Sequence, residues 1–329
     1  MHPLLADQEA RAREVLPAEV HAHWAGGSGE ETSLAEATAA WRDVRLRPRV
    51  LRDVSRVDTA LTLLGARLRT PVVLAPTALH GLGHPDGERA TAAGAARAGA
   101  LTALSTRASE PVAADPWWQQ VYVLRDRART VDLVQAAAAR GARALVLTGD
   151  TPYVARKARG DFGPQVDVPD AARQDPATTL DDVGRLAGAS GLPVLVKGVL
   201  RGDDAAACLD AGAAGVWVSG HGGRQLDRSV APARALPEVV DAVAGRAPVL
   251  VDGGVRSGLD ALCALALGAD AVAVGRPVLW ALAAGGADGV AACLDALTAD
   301  LAAAMALAGA ASLADVRGLA DPRGPAGGA

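Results

Sequence analysis

Aromatic side chains are scarce in this 329-residue sequence: one Phe, two Tyr and six Trp, although 50% of the residues are hydrophobic. The apolar mass is therefore Ala, Leu and Val. That supply of core material, beside only 21% charged residues, excludes a disordered chain. Cysteine is scarcer still. Cys208, Cys263 and Cys293 lie in apolar, helix-like stretches without any CxxC or Cys/His metal spacing. A small disulfide scaffold is thereby excluded, and reduced core thiols in a cytoplasmic protein are expected. No metal site is expected, since His80 and His84, although four apart, fall in a Gly-rich segment.

Basic runs are missing. With a net charge of -4 and no arginine-rich tail, nucleic acid is not an expected partner. Long uninterrupted apolar runs are missing too: charges such as Asp270 and Arg276 break them, so no membrane span is expected. Asp7, Glu9 and Glu14 make the first stretch unlike a signal peptide. Lysine is rare as well. Of 33 basic residues only Lys157 and Lys197 are Lys, and a lysine kept against that bias invites a chemical reason.

What recurs is a short apolar run closed by a small, polar or Gly residue. The runs are Pro71–Ala75, Leu101–Leu104, Gln119–Leu124, Ala144–Leu147, Pro193–Val196, Gly215–Val218, Pro248–Val251 and Ala271–Val274. Most are continuous rather than alternating, as expected of parallel strands buried on both faces. Ala-rich stretches with charge on one side separate most of them, for example Gly87–Ala98, Thr130–Ala139, Asp203–Ala211, Leu236–Val243 and Leu259–Leu267. Alanine is the best helix former, so these are expected helices. The rhythm predicts an α/β protein, a (β/α)8 TIM barrel with a short N-terminal helical cap, in one domain over residues 1–329. Residues 1–70 would form the cap, from helical stretches Ala6–Ala25 and Leu34–Val44, with 71–316 as the barrel and 317–329 as a flexible tail. A doubly wound sheet is the alternative.

In a barrel of this kind the active site is assembled at the C-terminal strand ends. All eight runs end in polar or ionisable residues: Pro76-Thr77-Ala78, Ser105-Thr106-Arg107, Gln120 with Tyr122, Thr148-Gly149-Asp150, Lys197-Gly198, Ser219 to Arg224, Asp252 to Arg256, and Gly275-Arg276. The last two turns place glycines and guanidiniums on adjacent strands, a pattern suited to a phosphate.

These motifs resemble the FMN-dependent 2-hydroxy acid oxidases and dehydrogenases. SGHGGRQLD (Ser219–Asp227) is similar to that family's SNHGGRQLD signature. LVKGVL, LAPTALHGLGHPDGE, LTGDTP, DGGVRSG and the N-terminal AGGSGEE occur in family order, and the likeness runs from about residue 16 to 316. The resemblance implies the same barrel and FMN as cofactor. It implies His221 as catalytic base, Asp150 as the carboxylate that orients it, and Tyr122 as a hydroxyl touching substrate. It implies Arg224 on the substrate carboxylate and Lys197 at flavin N1/O2, where a fixed cation stabilises the charge of reduced flavin. Pro76, Thr77, Ala78, Ser105, Gln120 and Thr148 would line the flavin ring, with Ser219 beside the base. Asp252, Gly254, Arg256, Gly275 and Arg276 would hold the ribityl chain and phosphate.

Departures from the family pattern concern the substrate side. His23 stands where glycolate oxidase has a carboxylate-binding tyrosine, Lys157 where it has a second carboxylate arginine, and Arg107 where it has a tryptophan. Arg156 or Arg159 are alternatives to Lys157. Gly220 replaces the Asn before the base, and the loop after strand 4 is some twenty residues shorter than usual. A 2-hydroxy acid larger or more acidic than glycolate or lactate is expected, free or peptide-linked, with O2 or another electron acceptor. The resemblance further implies a homotetramer or octamer. Another flavin oxidation by a tailoring enzyme, or a flavin-binding scaffold without turnover, are the other readings. Six aromatics, Trp24, Trp117, Trp118, Tyr122, Tyr153 and Phe162, are expected near the site.

Overall fold

Runs of Val and Leu that must be buried on both faces find that environment only inside a layer of helices. In the computed structural model, which describes residues 1–112, 115–159 and 168–321, they do so by closing a barrel. Its strands are β3 (Val72–Leu74), β4 (Thr102–Leu104), β5 (Trp117–Val121), β6 (Leu145–Thr148), β7 (Val194–Val199), β8 (Gly215–Val218), β9 (Val249–Asp252) and β10 (Ala271–Val274). Neighbours pair in parallel around the ring, and β10 returns to β3 through Val272↔Val72 and Val274↔Leu74. The expected barrel is therefore present, and a doubly wound sheet is not.

Inside the ring, small residues such as Ala103, Ala144, Ala271 and Ala273 leave room that Trp118 and Trp217 fill. Below them a hairpin, β1 (Leu61–Leu63) and β2 (Ala66–Leu68), adds Leu63, Ala66 and Leu68 to the same cluster. The hairpin was not anticipated, because its three-residue strands are too short to carry a period. Its turn places Leu64 and Gly65 at φ 43° and 78°, the left-handed region of a tight hairpin.

The third barrel strand begins at Trp117, two residues earlier than expected, and pairs Thr102↔Trp117. Trp117 and Trp118 are thus core residues, 1% and 0% exposed, and not part of the site. Tyr153 is exposed, and Phe162 lies outside the described residues. Of these aromatics, only Trp24 and Tyr122 reach the cleft among the described residues.

The single N-terminal helix expected over 6–25 is two, α1 (Pro3–Val15) and α2 (Ala18–Ala25). Pro17 has no N–H to continue the first and caps the second. The next cap stretch is α3 (Thr32–Ala39), continued by a 3-10 turn at Ala40–Asp43. Residues 317–321 are not loose: Leu319 is 1% exposed, its carbonyl accepts from Arg47 N at 2.7 Å, and Ala320 pairs with Leu46. The rest of the expected tail, residues 322–329, lies outside the described residues.

After the last strand comes a helix of 32 residues, Arg276–Leu307. By length and composition it could cross a membrane, which the charge pattern did not suggest. Its helical geometry breaks at Gly285 and Gly286, and Val290, Cys293, Leu294, Leu297, Leu301 and Met305 are fully buried against the barrel. The three thiols are buried and unpaired, and burial pushes them up, to about 11 for Cys208 and about 12 for Cys263 and Cys293.

Candidate active site

The C-terminal strand ends open into one cleft of about 1160 Å³, counting its mouth. Its chemistry begins at the turn after β8. His221 sits at φ 53°, a left-handed conformation rare outside glycine, with its backbone N–H donating to Ser219 Oγ at 3.0 Å. Its Nδ1 is 2.9 Å from Asp150 Oδ1, and Thr151 Oγ1 is 3.3 Å from the same nitrogen. With Nδ1 engaged, Nε2 is the ring nitrogen left for the cleft. Burial opposes ionisation of Asp150. The charge and hydrogen bond of His221, with Lys197 beyond, outweigh it and hold the carboxyl below its ordinary range.

Asp150 reaches that position because residue 198 is glycine. Gly198 lies at φ 103° beside a register shift in β7, and a Cβ on it would stand 2.6 Å from Asp150 Cβ and Cγ. Tyr122 closes this corner. Burial, then the neighbouring Asp150, raises its phenol to about 12, so it stays a neutral hydroxyl, while Arg107 and Arg224 pull the other way.

Lys197, within β7, belongs to a buried network. Its Nζ donates to Ser219 Oγ at 2.7 Å and pairs with Asp252 at 3.1 Å, and Ser219 Oγ donates to Asp252 Oδ1 at 2.7 Å. The ammonium also lies 5.8 Å over the Trp217 ring. One of the two lysines is therefore fixed at the cleft floor.

Arg224, Arg256 and Arg276 form a further group of cations lining the cleft. None has a carboxylate partner within 4.0 Å among the described residues. Arg224 Nη1 donates to the carbonyls of His23 at 2.6 Å and Gly26 at 2.8 Å; Arg276 donates to those of Trp24, Gly26 and Gly222. Burial brings Arg224 down to about 10. Burial, reinforced by repulsion from Arg224 and Arg256, brings Arg276 to about 9. Desolvated guanidiniums gathered in this way suit an anion. Beside them Gly253 and Gly254 lie at φ 99° and 80°, and a Cβ on Gly254 would meet Ala37 O at 1.9 Å. The residues fit a phosphate-bearing cofactor: cations at one end, Pro76, Thr77, Ala78 and Ser105 along a wall, and Lys197 at the floor.

Of the residues expected here from sequence, Asp150, Gln120, Thr148 and Ser219 stand one layer behind the lining. Gln120 Nε2 donates to Thr148 Oγ1 at 2.9 Å, and its Oε1 accepts from Thr106 N at 2.9 Å, which stiffens the turn that carries Arg107. Lys157 lines the cleft, but its Nζ donates to the carbonyls of Ala155 at 2.6 Å and Arg224 at 2.7 Å, so it braces the backbone that carries Arg224. Arg159 is bound to Glu31 at 2.9 Å and does not line the cleft, nor does Arg156. His23 and Arg107 do line it. Sequence reading missed Thr151 and Gln174. Both sit in segments without periodicity, and only the fold brings them to His221 and Arg107. Part of the short loop after β6, residues 160–167, lies outside the described residues.

A carboxylate-paired histidine, a desolvated arginine and an anion cradle on one barrel rim define a barrel oxidoreductase that binds a phosphate-bearing cofactor. Comparison with known proteins specifies it. The family model for FMN-dependent dehydrogenases matches residues 12–171 and 164–320, so the chain belongs to that family. It is 42% identical to 4-hydroxymandelate oxidase of Amycolatopsis orientalis, over 92% of this chain and 93% of that protein. It is 41% identical to L-lactate oxidase of a Nostoc species over 92% and 93%, and to a peroxisomal (S)-2-hydroxy-acid oxidase of Oryza sativa subsp. japonica over 90% and 89%. Among solved structures, mandelate oxidase superposes with a TM-score of 0.89 at 42% identity, covering 95% of this chain and 96% of that one. Its complex with (S)-4-hydroxymandelic acid gives 0.89 at 40%, covering 95% and 97%. The protein is an FMN-dependent enzyme of the 2-hydroxy acid oxidase family, acting on CH–OH.

Proposed function

We propose that this chain oxidises a free 2-hydroxy acid larger than glycolate to the 2-oxo acid, with O2 as electron acceptor. The observation that carries the reading is the His221–Asp150 pair, 2.9 Å apart, on the same cleft as Arg224. Arg224 receives the substrate carboxylate in place of the backbone carbonyls it now touches, and its planar fork suits that group. Tyr122, kept protonated, donates to the same end. His221 Nε2 takes the hydroxyl proton, and Asp150 stabilises the resulting imidazolium. FMN, when bound, would supply the acceptor for the hydride of the α-carbon. Lys197 would face its pyrimidine end, with Pro76, Thr77, Ala78 and Ser105 along the ring and Gln120, Thr148 and Ser219 supporting from behind. Asp252 and Gly275 would line its ribityl path, with Gly254, Arg256 and Arg276 at its phosphate.

Relatives named as oxidases support O2, and two of them, named for 4-hydroxymandelate and L-lactate, support a substrate beyond two carbons. No contact in the cleft favours a peptide-linked acid. Cytoplasmic location and a homotetramer or octamer belong to the same proposal; the buried thiols fit a reducing compartment. The test is anaerobic addition of 2-hydroxy acids to the yellow protein, with peroxide measured on readmission of air. Flavin bleaching and stoichiometric peroxide are expected. His221→Ala should stay yellow and lose reduction by at least about 10³-fold; wild-type reduction in that variant removes His221 as the base.

A further inference from the structure

The charges of the cleft can be matched one by one. Lys197 has Asp252, and His221 has Asp150. Lys157 is drawn onto two backbone carbonyls. On the reading above, Arg224 takes the α-carboxylate, and Arg256 with Arg276 the cofactor phosphate. Arg107 is left over. Its guanidinium donates to one neutral oxygen, Gln174 Oε1 at 3.0 Å, and lies 5.9 Å over the Tyr122 ring. No carboxylate stands within 4.0 Å of it among the described residues. It is half-buried and lines the cleft, and the rest of its donor fork is unused there.

Its placement is firm. Arg107 N donates to Ser105 Oγ at 3.0 Å, its carbonyl accepts from Leu79 N at 3.2 Å, and Gln120 ties down the preceding residue. Gln174 is held by its pairing with Leu124 and by Asp175 N donating to Val123 O at 2.8 Å. A cation aimed by two rigid segments costs little further ordering when it binds. Tyr122, Arg107 and Arg224 line the same cleft, and the Arg107 guanidinium lies 5.9 Å over the Tyr122 ring. Both cations act electrostatically on that one phenol.

We propose that Arg107, positioned by Gln174, forms a second anion subsite, and that the preferred substrate is a 2-hydroxy dicarboxylic acid of about four or five carbons. Arg224 holds the α-carboxylate and Arg107 the distal one. The proposal rests on the hydroxy-acid oxidase reading above and specifies its substrate class.

The test compares flavin reduction of the holoenzyme by (S)-malate and (S)-2-hydroxyglutarate with that by (S)-2-hydroxybutyrate and (S)-2-hydroxyvalerate. The diacids are expected to have the higher kcat/KM. In Arg107→Gln the diacid KM should rise about 10- to 100-fold more than the monoacid KM, the size of a lost charge-assisted pair. Arg107→Lys should restore part of that difference. Binding of 2-oxoglutarate, followed by its perturbation of the flavin spectrum, should weaken in the same order. Monoacids preferred by the wild type, or equal KM changes for both classes in Arg107→Gln, overturn the subsite while leaving the oxidase reading intact. Failure of every 2-hydroxy acid to bleach the flavin overturns both.

Discussion

At the scale of single residues, the site depends on atoms that other residues are too small to obstruct. Gly198 is the clearest case, because the absence of its side chain admits Asp150 to His221. Gly198→Ala should displace that carboxylate and lower the rate of flavin reduction by up to about 10⁴-fold, the loss when a catalytic histidine loses its orienting aspartate. Flavin content should stay near one per chain. Stopped-flow reduction and the flavin-to-protein absorbance ratio measure the two; an unchanged rate would mean that Asp150 tolerates the methyl group. The same scale holds a contact that spacing did not reveal. Lys157, expected on the substrate carboxylate with Arg156 or Arg159 as alternatives, donates to carbonyls two and sixty-seven residues away. Spacing could reveal a rare lysine but not which acceptor its flexible stem would find.

At the scale of elements, an alanine-rich barrel needs a few large residues to fill its axis. Trp118, on β5, and Trp217, on β8, supply them, both 0% exposed. Trp118→Ala should therefore cost about 3 to 5 kcal/mol. Urea unfolding followed by circular dichroism measures it, and a loss below about 1 kcal/mol would mean that the barrel interior collapses around the gap. The scarcity of aromatics thus concentrates them in the core more than at the site. Sequence patterning placed the strands because continuous Val/Leu runs have one environment in this architecture. It misplaced the start of β5 because Trp-Trp reads equally well as strand or as site, and only the pairing Thr102↔Trp117 decides.

At the scale of the whole molecule, α1 and α2 pack on the helix Arg276–Leu307 through Leu16, Trp24 and Trp280, and the turn after β8 ties down the start of α3. Asp227 accepts from Ser33 N and Glu30 N, each at 2.8 Å, and so caps α3 from a residue nearly two hundred positions away. Those backbone donors hold its carboxyl down at about 2. A folded-state value below the unfolded one stabilises above the ordinary carboxylate range, and the contribution is lost as pH falls toward 2. Asp227→Ala should cost about 1 kcal/mol at pH 7, the usual value of a helix cap. The gap in Tm between wild type and variant should narrow by pH 3, as measured by scanning calorimetry. A gap that widens in acid would mean that the carboxylate does not cap the helix.

The sequence by itself determined the barrel, the strand ends that face the cleft, and the family. Each follows from local regularity: burial on both faces of a strand, alanine between strands, and short motifs at fixed strand termini. Tertiary structure decided the partners. It placed Thr151 on His221, Gln174 on Arg107, the hairpin under the barrel and residues 317–321 against the cap. These contacts join positions far apart in the chain through side-chain hydrogen bonds and packing. Such bonds leave no periodic trace, because their geometry exists only once the ring has closed.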